Sequence, residues 1–250
     1  MSNIIILAST MDLYYKDENG NKIATNFGNK NRIFDNLKRY VEKYDNFLFI
    51  ASNETNVEAT DIYANVTFES FEKTLPFKNY QILDIRTENE ARELVESADL
   101  VFLSGGHLPT QNKFFNKINL KELLKKSSAV ILAGSAGSMN CAGIVYCPPE
   151  KEGESNDINF KRELIGLSLT DINILPHYNV FKNFTLDNKF YIEEIIIPDS
   201  FNRKIVALND DAYILFDNND CKLYGEAYLI SNGIIEKINC DEKILENFRV

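Results

Sequence analysis

The stretch Ala129–Asn140, AVILAGSAGSMN, decides how this chain folds. Its first four residues are an all-apolar run, which reads as a short strand buried on both faces. Gly134-Ser135-Ala136-Gly137 follows, and then a helix begins. A strand that bends sharply into a helix holds the bending side chain clear of the sheet, and the crowding demands small residues two positions before and after it. Around Ser135 these positions are Ala133 and Gly137. Around Ser138 they are Ala136 and Asn140, a poorer fit. Ser135 is therefore the better candidate nucleophile. It stands at a helix N-terminus, where the backbone N–H of Ala136 is free to meet a developing oxyanion.

Working outward, the same alternation recurs. Asn3–Ala8, Phe47–Ile50, Tyr80–Ile85 and Leu100–Leu103 read as short buried strands. Between them, Arg32–Tyr44 sets Ile33, Phe34, Leu37, Tyr40, Val41 and Tyr44 on one helical stripe. Val57–Lys73 reads as partly helical. TENE at Thr87–Glu90 has the form of a capping box leading into a helix over Ala91–Ala98. Helices after Pro109 and through Leu120–Lys126 lead back to the opening stretch. Buried strands alternating with amphipathic helices predict a doubly wound α/β fold, a mostly parallel sheet with helices on both faces. The tail differs. Ile205–Leu208, Ala212–Phe216, Leu223–Ile230 and Ile234–Ile238, separated by DNND and Asn232-Gly233, predict an added antiparallel C-terminal ribbon at one sheet edge. One domain over residues 1–250 is the simplest organisation.

Composition excludes several function classes. The 250 residues carry 27 basic and 37 acidic side chains, a net charge of −10, which argues against nucleic acid as the main partner. No run approaches a membrane span and no basic leader precedes the first strand, so the expectation is a cytoplasmic protein without a membrane partner. The four cysteines, Cys141, Cys147, Cys221 and Cys240, follow no CxxC spacing and read as reduced thiols. There is no GxGxxG or GxxxxGK[ST] motif, so nucleotide binding has no support. Two distant histidines make a zinc site unsupported, and DNND lacks the rest of a calcium loop. No metal and no cofactor is expected. A homodimer is left open.

A serine nucleophile needs a base, and the chain has only two histidines. His107 follows Gly105-Gly106 after the Leu100–Leu103 strand. His177 follows the apolar run Ile172–Leu175. Both stand just beyond strand ends, where open parallel sheets form their ligand crevice. On position alone either reaches Ser135. The glycine pair lets backbone N–H groups approach an oxyanion without a Cβ in the way.

Taken together, three pieces resemble peptidase family S51, the dipeptidase E and cyanophycinase group of serine peptidases, whose fold is similar to class I glutamine amidotransferases. These are Gly105-Gly106 with Thr110-Gln111, the GSAGS elbow at Gly134–Ser138, and LTDINILPHY at Leu169–Tyr178. Order and spacing fit over residues 80–215, and IVALNDDAYIL at Ile205–Leu215 looks like the family's strand pair after the histidine. The resemblance implies Ser135 as nucleophile, His177 as general base, and the N–H groups of Gly106 and Ala136 as oxyanion hole. His107 and Gln111 then become substrate contacts. For the third triad member, gapless counting from the aspartate of dipeptidase E gives Glu150, with Glu152, Glu154 and Asp171 as alternatives. Dipeptidase E cleaves after an N-terminal aspartate, and the resemblance includes an arginine pair after the histidine. Here Thr185–Glu194 carries Lys189 and no arginine, so the planar fork that suits an aspartate is missing. The expectation is a serine peptidase acting on short peptides. The alternatives are a non-catalytic binding or regulatory protein of the glutamine amidotransferase-like fold, and a cyanophycinase-like hydrolase of β-linked peptides. A true glutamine amidotransferase needs cysteine at the elbow, and Cys141 lies six residues past Ser135.

Overall fold

The computed structural model describes residues 4–217, 220–238 and 243–244. An eight-stranded sheet forms the centre, in the order Lys243–Ile244, Asp220–Tyr224, Tyr213–Asp217, Ile5–Ala8, Val130–Gly134, Leu100–Leu103, Asn46–Ile50, Asn79–Leu83. The five strands from Ile5–Ala8 to Asn79–Leu83 run parallel. Four of them are apolar and buried because helices cover both faces. One core layer gathers Leu48, Val101, Ile131 and Leu94. The other gathers Phe47, Phe49, Phe71 and Phe102, ring against ring. The α/β expectation holds.

The helical stripe also holds, over Ile33–Tyr40, with Ile33 and Leu37 buried and Val41 just past the end. Val57–Glu72 is a full helix, capped where the Asn56 side chain accepts from the Ala59 N–H. The capping box at Thr87 does not form. Thr87 Oγ1 instead donates to the Ile82 carbonyl and accepts from the Asp84 N–H, closing the turn before the helix Ala91–Ser97.

The tail is split more finely than its hydropathy shows. Tyr213–Asp217 and Asp220–Tyr224 extend the main sheet antiparallel beside Ile5–Ala8. The run Leu223–Ile230 breaks at Gly225, whose φ of +86° favours glycine and whose Cβ would lie 2.9 Å from Ala212 Cα. Past that break the chain enters a second sheet, Asn173–Leu175, Ile205–Leu208, Ala227–Ser231 and Ile234–Ile238. Cys240 and the central Asn218-Asn219 of DNND lie outside the described residues. Among those described, no helix is long and apolar enough to cross a membrane.

Two registers position everything that follows. In the main sheet Leu103 pairs with Ala133. The chain segments just past these strands therefore emerge side by side. In the second sheet Asn173–Leu175 runs parallel to Ile205–Leu208, with Leu175 opposite Ala207. Parallel strands end at the same edge, so the segments after Leu175 and after Leu208 also meet.

Candidate active site

Ser135 sits at the bend between Val130–Gly134 and the short helix Ala136–Met139. Its backbone has φ 50° and ψ −118°, a strained conformation for a residue with a Cβ. The surroundings hold it there. The Ser135 N–H donates to the Ala8 carbonyl at 3.0 Å, and its own carbonyl accepts from Met139 N. Gly137 lets the helix press on the neighbouring strand end, since a Cβ there would lie 2.3 Å from the Leu103 carbonyl oxygen. Gly105 lies directly beside the serine, with its virtual Cβ 3.2 Å from Ser135 Cβ. The rival, Ser138, is fully buried and its hydroxyl points at the carbonyls of Ala8 and Ala133. Ser138 is scaffold, while Ser135 remains partly open to solvent.

His177 follows the Asn173–Leu175 strand and adopts φ 58°. Ser9 joins the two sheets at this point. It follows the Ile5–Ala8 strand, accepts the His177 N–H at 2.8 Å and donates to the Leu208 carbonyl at 3.4 Å. The imidazole reaches Ser135, with Nε2 2.9 Å from Oγ. On its other side Nδ1 lies 2.9 Å from an Asp210 carboxylate oxygen. Asp210 lies two residues past the Ile205–Leu208 strand, which the parallel register brings beside His177. Asn179 clamps the acid. Its Nδ2 donates to the second carboxylate oxygen at 3.0 Å, and its Oδ1 accepts the Asp210 N–H at 2.8 Å.

The acid beside the imidazole is therefore Asp210, which the sequence reading passed over, and not Glu150. The available signal was its place: an Asn-Asp-Asp cluster immediately after a buried strand. Counting from the serine could not find it, because the pairing comes from a sheet built later in the chain. Asp171 precedes the histidine strand and lines a different cavity, and Glu152 is exposed. The Glu154 carboxylate accepts the N–H groups of Glu150 and Lys151.

Glu150 nonetheless belongs to the site. It lines a cavity of about 250 Å³ together with Gly106, Ser135, Ala136 and His177. The rest of the wall is apolar: Met139, Pro148, Leu175, Phe181, Phe184 and Tyr191. The Tyr191 hydroxyl donates to the Pro149 carbonyl, tying the aromatic wall to the Glu150 segment. Phe181 meets the His177 ring edge-on at 6.1 Å. Desolvation by these walls, then the nearby Glu154 carboxylate, pushes the Glu150 carboxyl up to about 7.

Neither expected substrate contact lines this cavity. Gln111 is fully buried, its amide spent on the Ser104 carbonyl and on Asn140, so it is scaffold. His107 pairs its Nδ1 with Thr110 Oγ1 at 2.7 Å, and burial holds its pKa below the usual value. It flanks the cavity without lining it. Lys189 is also committed elsewhere, to Ser155 and Asn156. Cys141 is buried with its thiol on the Gly137 carbonyl, far from any elbow role. Among the described residues no group of three or more His, Cys, Asp or Glu side chains could hold a metal ion.

The sequence model of peptidase family S51 matches residues 21–224, a span that includes the elbow, His177 and Asp210. The chain belongs to peptidase family S51. It is thereby a serine-type peptidase. This S51 peptidase has the fold of two solved structures. One is a peptidase from an acI-B1 actinobacterium, with a TM-score of 0.65, 14% identity, and coverage of 97% of this chain and 96% of that one. The other is described as a peptidase E protein from Listeria monocytogenes, with a TM-score of 0.58, 15% identity, and coverage of 95% and 99%. Among curated proteins, none matches the sequence.

Proposed function

We propose that this S51 peptidase hydrolyses short peptides through a Ser135–His177–Asp210 triad. The observation that carries the reading is the unbroken hydrogen-bond relay, 2.9 Å from serine to imidazole and 2.9 Å from imidazole to carboxylate. In this mechanism Ser135 Oγ attacks the scissile carbonyl and His177 Nε2 takes its proton. Asp210 holds Nδ1–H toward itself and stabilises the imidazolium. The N–H groups of Gly106 and Ala136, both at the cavity wall, receive the oxyanion; that of Ala136 is a first-turn helix donor with no intrahelical partner. The imidazolium then gives its proton to the leaving amine, and water releases the acyl group by the reverse route.

A cavity of about 250 Å³ accommodates roughly one residue, which supports short peptides over folded proteins. A reducing, cytoplasmic setting is part of the proposal and agrees with the buried thiols of Cys141 and Cys147. The test is a dipeptide turnover screen on the wild type with Ser135→Ala and His177→Ala, alongside labelling by a fluorophosphonate. Loss of turnover in both variants, with wild-type labelling at Ser135, is expected. Full turnover in either variant would exclude the mechanism. Absence of both labelling and turnover in the wild type would favour a binding protein.

A further inference from the structure

Resting on the triad reading above, the chemistry of the cavity wall selects the substrate. Ser135 and the N–H donors Gly106 and Ala136 all line the cavity, so the acyl residue of a substrate seated on Ser135 Oγ is assigned to it, side chain and amine included. That cavity is lined by the apolar side chains of Met139, Pro148, Leu175, Phe181, Phe184 and Tyr191. The three aromatic rings pack on one another, with centroids 4.9 to 5.9 Å apart, so the wall is a fixed shape. Among the lining residues Glu150 is the single carboxylate, and no lysine or arginine is present. Lys151 acts on Glu150 electrostatically but does not line the cavity, and Lys189 is spent on Ser155 and Asn156.

Glu150 is held in place. Its carboxylate accepts the Leu108 N–H, its own N–H goes to Glu154, and Pro149 before it is fastened by Tyr191. A walled carboxyl beside the reacting serine, with no cation of its own in the cavity, is complementary to a substrate ammonium, whose arrival favours the ionised form that burial alone disfavours. An acidic side chain would meet the same carboxylate with no cation to pair with. We infer that the cleft takes an apolar or aromatic residue at the cleaved position and that Glu150 binds the peptide's ammonium, so that N-terminal aspartate is a poor substrate. The ammonium has two sources, the free N-terminus or a lysine side chain at the cleaved residue, and the two are separated experimentally.

The experiment compares kcat/KM for Phe-, Leu-, Lys- and Asp-p-nitroanilides and for Nα-acetyl-Phe- and Nα-acetyl-Lys-p-nitroanilide, with wild type and Glu150→Gln. Phe and Leu are expected to exceed Asp by about tenfold or more, and acetylation to cost about tenfold or more, as loss of a charge-assisted contact implies. In Glu150→Gln the ratio of free to acetylated substrate should fall to near one, chiefly through KM. Preference for Asp, or an unchanged ratio in the variant, would overturn the inference. A lysyl substrate preferred over Phe by tenfold, and equally tolerant of acetylation, would overturn the apolar assignment and place the ammonium on the side chain. A second readout needs no turnover. Calorimetric titration of Ser135→Ala with phenylalaninamide, N-acetylphenylalaninamide and aspartamide should rank the first tightest, and adding Glu150→Gln should abolish the ranking. If wild type neither labels with fluorophosphonate nor turns over any substrate, the triad reading fails. If it labels and the calorimetric ranking is absent, only the present inference fails.

Discussion

Replacing Asp210 by asparagine tests the relay at its least obvious member. The outcome follows from which neighbour holds which oxygen. Asn179 Nδ2 donates to one carboxylate oxygen, and His177 Nδ1 lies against the other. In Asp210→Asn the new amide must keep its carbonyl toward Asn179, because two amino groups cannot face each other. Its own NH2 then points at His177 Nδ1 and demands an acceptor there. The neutral imidazole answers by carrying its proton on Nε2, the atom 2.9 Å from Ser135 Oγ. A protonated Nε2 cannot take the serine's proton. The expected loss in kcat is roughly 10³- to 10⁴-fold, about 4 to 5.5 kcal/mol in the barrier, with little change in KM. The assay is steady-state hydrolysis of the best substrate, checked by the second-order rate of fluorophosphonate labelling, which should fall in parallel. Glu150→Gln provides the contrast, because it should weaken KM without touching the labelling rate to this degree. If Asp210→Asn keeps kcat within tenfold of wild type while Glu150→Gln loses it, the assignment of the acid is wrong.

Other outcomes follow from the same geometry. Because Ser135 is held at φ 50° with a Cβ, Ser135→Gly should be more stable than Ser135→Ala by about 1 to 3 kcal/mol in denaturant unfolding, although both are inactive. Gly137→Ala would drive a Cβ to 2.3 Å from the Leu103 carbonyl; overpacking of about 1 to 3 kcal/mol and displacement of the elbow should appear as a lower unfolding midpoint and slower labelling. Glu150 has a folded-state pKa of about 7 against 4.5 for the ordinary carboxyl, so the native state holds its proton where the unfolded state releases it. Its contribution to stability is therefore lost as pH rises from 4.5 to 7, and Glu150→Gln should raise the melting temperature at pH 8 but not at pH 4.

The chain's local chemistry determined much of this protein. Short apolar runs between amphipathic helices dictate the parallel layered sheet, because only burial on both faces tolerates such strands. Small residues around Ser135 dictate the elbow, because nothing larger fits the bend. Scarcity narrowed the base to two histidines. What the sequence left undecided was long-range pairing. Leu223–Ile230 reads as one strand until Gly225 sends its halves to different sheets. Gln111 and His107 look exposed after a glycine loop until the helix Leu108–Lys117 turns Gln111 inward. The imidazole's partner was decided by register: Asn173–Leu175 lies parallel to Ile205–Leu208, so their ends coincide, and Asp210, thirty-three residues beyond His177, becomes its neighbour while Glu150 turns to the cavity. Residue type and spacing encode which groups are chemically able to act. Which of them meet depends on how strands far apart in the chain satisfy one another's hydrogen bonds, and only the assembled sheets specify that.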